Sequence, residues 1–162
     1  MPIYMQYDGI DGDVTTKGHE KWIELNSCSM GVNRHLTSPS GGSADREGST
    51  PSISEIVVTK VTDAASPNLF RAAVGKGPGS EGKLVKIDFC KTDSGDTEPY
   101  LQLELENTLV SSFSVSSGGD RPTESLALNF VKITVNNIGM GAANETGQPD
   151  RAHYDLATHE GA

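Results

Sequence analysis

The segment from Leu109 to Ile133 most constrains the fold, because it has the pattern of a long β-hairpin. Phe113 and Val115 alternate with serines in its first half, which is the period of two of a strand with one buried and one polar face. A Gly-Gly pair at 118–119 predicts the turn. Alternation then resumes, with Leu126, Leu128 and Phe130 on one face. The polar faces of both strands are too uncharged for an ordinary protein surface.

Similar patterns elsewhere predict a mainly β protein of about seven or eight strands. Beyond the hairpin, the predicted strands are Ile3–Asp8, His19–Val32, Ile53–Val61, Lys83–Lys91 and Tyr100–Glu106. Within His19–Val32, if Cys28 and Met30 face the core, Ser27 and Ser29 face the opposite wall. Antiparallel strands in this number favour a closed barrel or a sandwich.

One short helix is predicted beside this sheet. Ser66 has the side chain of an N-cap, Pro67 suits the first helical position, and Gly75 suits the residue after the helix. The fold class is therefore mainly β, a small antiparallel β-barrel or sandwich with one short flanking α-helix.

The length of 162 residues predicts a single domain over residues 1–162. A stretch rich in Gly, Ser and Pro, Leu36–Ser52, is predicted to be a long mobile loop of the kind that carries function. From about residue 137 the chain is predicted to be a loosely ordered tail, apart from a short strand at His153–Leu156.

Charge and hydropathy exclude several classes of partner. The formal net charge is −9, with 22 acidic and 13 basic side chains, so nucleic acid is not an expected partner. Membrane insertion is not expected either, because no apolar run approaches the roughly 20 residues of a span. The first residues lack the pattern of a secretory signal peptide, which predicts cytoplasmic synthesis and leaves open an exit route that needs no cleaved signal.

The sequence predicts no metal site and no cofactor. Cys28 and Cys90 form no C-x-x-C pair and are interpreted as buried free thiols. Four histidines are scattered without metal-binding spacing. The segment Gly77–Lys83 matches a phosphate-binding loop in spacing alone, since its predicted flanking elements are in the wrong order.

Catalytic residues are not predicted either, because no G-x-S-x-G elbow directs a base toward a serine. Asp120 and Arg121 could be mistaken for a catalytic pair, but a D-R-P corner is better explained by ion pairs that fix a loop or a subunit interface. Trp22 is interpreted as a packing residue or as an anchor for a neighbouring subunit.

Three blocks of sequence resemble one family. Leu109–Ile133, Gly18–Gly31 and Thr59–Leu69 are similar, in order and in residues, to the haemolysin-coregulated protein family, the inner-tube proteins of the bacterial type VI secretion system. Together the blocks span most of residues 1–136. The sequence departs from many members at Cys28 and Met30, where aromatic residues are common.

This resemblance implies a small β-barrel with a helix on its flank and no catalysis by the domain itself. It implies that six copies close into a ring, that rings stack into a secreted tube, and that the lumen holds effector proteins. Other implied partners are the sheath and the spike and baseplate proteins. The protein would be cytoplasmic before firing and then secreted without a cleaved signal peptide.

Site residues are carried over from the same resemblance. The small residue that contacts effectors in the lumen corresponds to Ser29, and alternation adds Ser27. The loop that reaches the adjacent ring corresponds to Leu36–Ser52, with Ser38, Gly41, Gly42, Asp45 and Arg46 as candidate contacts. From the residue patterns discussed above, and not from the resemblance, Trp22, Asp120 and Arg121 are candidates for the subunit interface.

Two alternative functions remain at this point. One is a phage-tail-like tube protein outside a secretion system. The other is a β-barrel enzyme with Asp120, Arg121 and a histidine in a cleft. Alternation defines two faces for each serine-bearing strand, and it leaves open which face lines a pore.

Overall fold

The computed structural model describes residues 1–37, 47–93, 95–138 and 150–162, which form fourteen strands and one α-helix. The strands are β1 (Ile3–Tyr7), β2 (Ile23–Leu25), β3 (Ser27–Ser29), β4 (Val32–Asn33), β5 (Leu36–Thr37), β6 (Glu47–Gly48), β7 (Ser52–Ile53), β8 (Ile56–Val61), β9 (Lys83–Asp93), β10 (Asp96–Ser116), β11 (Thr123–Asn129), β12 (Lys132–Asn137), β13 (Asp150–Asp155) and β14 (Glu160–Gly161). The helix is α1 (Ser66–Ala73).

Strand β10 is 21 residues long and joins two strands that the sequence predicts as separate. The expected break after Glu106 is absorbed by irregularities in pairing, one between Leu105 and Thr108 and one between Val110 and Ser112. Asn107 takes a φ of 54°, which asparagine tolerates better than most residues. The strand therefore bends at this point without ending.

Two strands lie end to end along one side of β10. β11 pairs with Leu109–Ser116 and β12 pairs with Leu101–Glu106. The predicted return strand of the hairpin thus contains an interruption after Asn129. Its apolar face is as predicted, since Leu126, Leu128 and Phe130 are all buried.

Two sheets share β10, and every pair of neighbouring strands is antiparallel. The short sheet has the order β10–β11–β8–β3 and uses Leu109–Ser116 of β10. The long sheet has the order β2–β1–β9–β10–β12–β13–β14 and uses Asp96–Thr108 of β10. The prediction of an antiparallel β fold with one short helix is confirmed.

The barrel is not closed by hydrogen bonds between β2 and β3 in the part of the chain described here. Asn26 separates these strands, and its N–H donates to the Thr59 carbonyl at 2.7 Å. The predicted single strand His19–Val32 is therefore wrong: it forms β2 in the long sheet, β3 in the short sheet and β4 in a separate pair. Alternation persists through a change of sheet, so sequence periodicity does not detect it.

The core lies between the two sheets, and α1 covers one end of it with Leu69 and Ala72. Cys28 packs against this core as predicted, whereas Met30 is 40% exposed, contrary to prediction, because the short sheet ends at Ser29. The innermost apolar side chains come from strands of both sheets, namely Met5, Tyr7, Ile23, Ile56, Val58, Val85, Ile87, Leu105, Leu126 and Leu128.

The predicted helix is present, but its predicted cap is wrong. Ala65 is the N-cap and provides no side-chain hydrogen bond, while Ser66 is the first helical residue. The Ser66 hydroxyl is directed into a buried polar cluster described below. Gly75 follows the helix with a φ of 75°, and its N–H donates to Ala72 O at 3.1 Å, as expected for a glycine that ends a helix.

The ends of the predicted loop at 36–52 are paired. β5 pairs with β6, and β4 pairs with β7. The candidate ring-stacking residues Ser38, Gly41, Gly42, Asp45 and Arg46 lie outside the described residues.

The described part of the predicted tail, residues 150–162, contains the predicted short strand and a second one beside it. β13 begins at Asp150, three residues before the predicted strand, and joins the long sheet through β12, with β14 beyond it. Backbone hydrogen bonds to β12 hold this segment, and composition alone does not predict such pairing. The described residues contain one α-helix, and it is too short to cross a bilayer.

Candidate functional site

Hydroxyl side chains form a row across all four strands of the short sheet. The pairing places Ser114 opposite Ser125, Ser125 opposite Thr59, and Thr59 opposite Ser27. The hydroxyls of Ser27 and Thr59 are 2.5 Å apart, and Ser114 Oγ donates to the Ser125 carbonyl at 3.5 Å. This row is the centre of a polar outer wall.

Neighbouring rows continue the same surface. On one side lie Ser112, Ala127, Val57 and Ser29 in register, and on the other lie Ser116, Thr123 and Val61. We call this surface the hydroxyl face: Ser27, Ser29, Val57, Thr59, Val61, Ser112, Ser114, Ser116, Thr123, Ser125 and Ala127. None of these side chains is charged in a protein with a net charge of −9.

The hydroxyl face lies outside the barrel, since the alternate residues of the same strands face the core. Val58 and Leu126, for example, are buried. The predicted lumen residues Ser27 and Ser29 are both exposed and lie on the same face as the hairpin serines. Serines from β3 and β10 therefore share one surface. That this surface lines a pore stays a prediction.

Chemically, this face is neutral and made of small side chains. Hydroxyls both donate and accept hydrogen bonds, and they can exchange partners by rotation without moving the backbone. The face has no titratable group that could act as an acid or base, and no charge that would hold or repel a passing chain strongly. It is suited to contact without tight retention.

Among the described residues, neither edge of the short sheet has a further strand partner. Pairing of β10 with β9 stops at Thr108, so Leu109–Ser116 has β11 on one side and no strand partner on the other within the described chain. At the opposite edge, β3 pairs with β8 alone in the same residues. Four antiparallel strands alternate in direction, so the two edge strands run in opposite directions. One copy of this sheet could therefore continue into a second with antiparallel pairing.

A buried polar cluster lies beneath the hydroxyl face. Lys60 Nζ contacts Glu124 Oε1 at 2.9 Å and Asp63 Oδ1 at 2.8 Å, with the Lys60 and Glu124 side chains 0% and 2% exposed. Ser66 Oγ and Thr62 Oγ1 donate to the two Glu124 oxygens at 3.0 and 2.8 Å. The cluster joins β8, β11 and α1 through charge-assisted hydrogen bonds.

Two opposing influences act on the pKa of Glu124. Burial raises it, but hydrogen bonds from Ser66, Lys60 and Thr62, together with the Lys60 charge, lower it below its ordinary value. Glu124 is therefore a structural carboxylate, since its oxygens are committed to partners inside the fold.

Comparison with known proteins connects this architecture to a family. Residues 4–136 match the family model for Type VI secretion system effector, Hcp, and these residues include the whole hydroxyl face. The chain belongs to the Hcp family. Membership implies a subunit of the type VI secretion tube and an oligomeric assembly, and it confirms the resemblance found in the sequence.

Individual relatives agree with this assignment. The Pseudomonas aeruginosa protein hcp1 is 33% identical over 85 residues, which is 51% of this chain and 51% of hcp1, so the match spans about half of that relative. A solved type six secretion system protein has a TM-score of 0.88 at 27% identity, covering 99% of both chains. Hcp1 from Salmonella typhimurium has a TM-score of 0.77 at 21% identity, covering 99% of this chain and 98% of that one, which supports the fold.

Within this Hcp-family chain, sequence reasoning missed a cluster of His19, Asp88 and Cys90. His19 Nε2 lies 2.8 Å from Asp88 Oδ2 and 3.8 Å from Cys90 Sγ. A catalytic triad needs the carboxylate and the nucleophile on different ring nitrogens. Here one nitrogen meets both groups, and the buried Nδ1 has no partner. Burial, and then the Asp88 charge, raises the pKa of Cys90 to about 12.

This geometry predicts unreactive thiols in the native protein. Burial also raises the pKa of Cys28 to about 11, so at pH 8 each thiolate population is about a hundredfold or more below that of a free cysteine. Ellman's reagent is expected to label both cysteines slowly under native conditions and rapidly in urea. Fast native labelling that depends on Cys90 would contradict the assignment of this cluster to the core.

The predicted interface candidates occupy two separate places. Trp22 is half-buried, and its ring meets the His19 ring edge-on at 4.6 Å. Asp120 and Arg121 are exposed at the tip of the β10–β11 hairpin. Neither takes part in the ion pairs of the described residues, so the predicted ion-paired corner is not seen within one chain. A role for these residues between subunits stays a prediction.

A shallow cavity next to Arg121 provides no support for the enzyme alternative. Its wall includes Asp13, Glu24, Asp63 and Arg121, and no histidine lines it among the described residues. The candidate combination of Asp120, Arg121 and a histidine is therefore not brought together there.

Proposed function

We propose that this Hcp-family chain forms hexameric rings in which the hydroxyl face lines a channel, and that stacked rings export effector proteins. The single observation that carries the proposal is the combination of an uncharged hydroxyl face with two open, oppositely directed edges on one sheet. A sheet with such edges is prone to pair with another copy, and closing a ring removes every exposed edge.

The size of such a channel follows from strand spacing. Six copies of a four-stranded sheet give about 24 strands at about 4.8 Å, so the circumference is about 115 Å and the diameter about 37 Å for untilted strands. A tilt of about 40° would widen the diameter to about 48 Å. A domain of about 100 residues has a radius of gyration of about 13 Å, so a small folded effector fits this scale.

The chemistry of the hydroxyl face is compatible with transport of varied cargo. We propose that Ser29 and Ser27 contact effectors, and that the neutral wall avoids tight electrostatic retention during release. We further propose that the loop at 36–52 contacts the adjacent ring, and that sheath and spike or baseplate proteins bind the assembled tube. In this reading the chain is structural, is cytoplasmic before firing and is secreted with the tube without a cleaved signal peptide.

Assembly in solution tests the proposal directly. The purified chain is expected to elute near about 103 kDa, six times its mass of 17.1 kDa, and to appear as rings in negative-stain electron microscopy. Light scattering over a hundredfold range of concentration would detect dissociation. A monodisperse monomer across that range would refute a ring-forming subunit.

Contact with cargo can be tested by adding bulk to the face. Ser29→Gln is expected to leave rings intact and to lower retention of a co-expressed effector by at least about tenfold, because the longer amide occupies the space next to Val57. Thr158→Gln, in the exposed turn between β13 and β14, is the matched control. Co-purification of effector with rings measures the effect. Equal retention by both variants would exclude Ser29 from the contact surface.

A further inference from the structure

We infer that an apolar ridge at one edge of the short sheet seats in an apolar groove at the opposite edge of the next copy. The ridge is formed by Phe70, Val74 and Val115, and the groove lies between β4–β7 and β12–β13. This inference rests on the proposed ring, and it identifies the side chains that hold each junction together.

The ridge consists of side chains that one copy leaves exposed. Phe70, Val74 and Val115 are each 55% exposed. Phe70 lies on α1, and Val74, four residues later, directly follows the helix. The Phe70 ring packs against Phe113 with centroids 6.0 Å apart and planes at 76°. Phe113 and Val115 lie on the open edge strand β10, on the face opposite its serines.

The groove is the apolar opening left beyond the end of β3. Its lining includes Met30, Val32, Pro51, Ile53, Val135 and Tyr154, and its volume is about 200 Å³. An apolar cavity of about 150 Å³ accepts a benzene ring, so this groove has room for one aromatic or branched side chain from outside. Met30 and Val32 are 40% and 55% exposed in one copy.

Ridge and groove lie on the same side of the short sheet. Ser27 and Ser29 face outward on the hydroxyl face, whereas Cys28 packs against the core, and the chain continues from β3 directly into Met30 and Val32. Val115 likewise lies opposite the hydroxyl face. The row through Val115 crosses Lys60 and reaches the position of Asn26, four residues before Met30, so the ridge meets the groove on the outer side of the ring when β10 of the next copy is displaced by about four residues, or about 13 Å, along β3. Strands tilted by about 35° give this displacement across the width of four strands, about 19 Å.

Main-chain pairing alone is a weak junction. β3 has three residues, so it supplies about two or three hydrogen bonds, each of which replaces a bond to water. Burial of exposed apolar surface adds the driving force that such a short edge lacks. A second copy is also the occupant that suits the charge, because chains that each carry −9 approach most easily through uncharged surfaces.

A head-to-tail contact predicts that a ridge variant and a groove variant, each defective alone, form a dimer when mixed. Val115→Asp removes the ridge of a copy but keeps its groove, and Val32→Asp does the reverse. Each variant alone is expected to be monomeric or to dissociate at least about tenfold more readily than the parent protein. Mixed in equal amounts, they can form one intact junction and then stop, which gives a dimer of about 34 kDa, twice 17.1 kDa. Leu84→Asp, at a residue 38% exposed away from both surfaces, is the control for added charge and should assemble normally.

Cross-linking supplies a second readout. Both cysteines, Val32→Cys and Val115→Cys, are introduced into a Cys28→Ser background and treated with a short bis-maleimide. Cross-linked oligomers up to the closed ring are expected. Either cysteine alone is expected to give no cross-linked product. Circular dichroism checks that each variant folds. Parental rings with no ladder, together with variants that assemble normally, would overturn this inference and leave the ring proposal standing. A parent that is always monomeric would overturn the ring itself.

Discussion

Replacing Glu124 by alanine is expected to lower the free energy of unfolding by about 3–5 kcal/mol, because it leaves the Lys60 ammonium buried without its main partner. Lys60 is fully buried, and Glu124 Oε1 lies 2.9 Å from its Nζ. Asp63 remains nearby at 2.8 Å, so part of the charge stays paired. Urea denaturation measures the loss, with all variants compared at one protein concentration because assembly makes apparent stability depend on concentration.

The surface pair Glu106–Lys132 provides a matched control. These side chains are 49% and 35% exposed and 3.7 Å apart, so Glu106→Ala should cost no more than about 1 kcal/mol. The triple variant Lys60→Met, Asp63→Asn and Glu124→Leu removes all three charges of the cluster and should recover part of the lost stability. A Glu124→Ala loss equal to that of the surface control would contradict this account of the cluster.

Acid should remove the same contribution. The folded pKa of Glu124 is lowered from its ordinary 4.5, so its stabilising effect is fully present above that value and is lost as the pH falls through the folded pKa. The difference in stability between the parent protein and Glu124→Gln should therefore shrink as the pH falls below about 4.5.

The second large effect is expected at Gly12. A methyl group added at this position would overlap the Trp22 carbonyl oxygen and lie 2.8 Å from both Cα and Cγ1 of Ile23. Two of these atoms belong to backbone that is fixed by hydrogen bonds, including Gly12 N to Lys21 O at 2.7 Å. Gly12→Ala is therefore expected to cost about 2–3 kcal/mol through overpacking.

The control for this change is Gly118→Ala in the hairpin turn. No atom lies within 4 Å of a methyl group added there, so its cost should stay within about 0.5 kcal/mol. Thermal and urea unfolding of the two variants compare them directly. Equal losses of stability in the two variants would contradict the close approach of Gly12 to the backbone of Trp22 and Ile23.

Local patterns correctly predicted which side chains share a face of the hairpin strands and of β3. Alternation around Phe113 and Leu126 indicated the two faces of the hairpin, and the same rule put Ser27 and Ser29 together on one face of β3. These features depend on neighbours in sequence. The sequence also contained a signal for the buried pair of Lys60 and Glu124. Each occupies an inward position in an alternating strand, where a buried charge needs a partner.

Features that depend on distant residues were not predictable in this way. His19 meets Asp88 across 69 positions of sequence, and no spacing rule connects them. Ser66 has the side chain of a helix N-cap, but its hydroxyl accepts a hydrogen bond from Lys60 and donates one to Glu124 instead of capping the helix. Periodicity also failed at Asn26, where the chain changes sheet while its alternation continues.

The length of β10 has a consequence for how the molecule opens. Its residues Asp96–Ser116 belong to both sheets, so the strand that carries Ser112, Ser114 and Ser116 continues without interruption into the middle of the long sheet. Amide hydrogens exchange in roughly contiguous cooperative units, which often coincide with supersecondary motifs. We therefore expect the amide protons of Leu109–Ser116 that bond to β11 to exchange together with those of the long sheet, so that the hydroxyl face opens only when the whole subunit does.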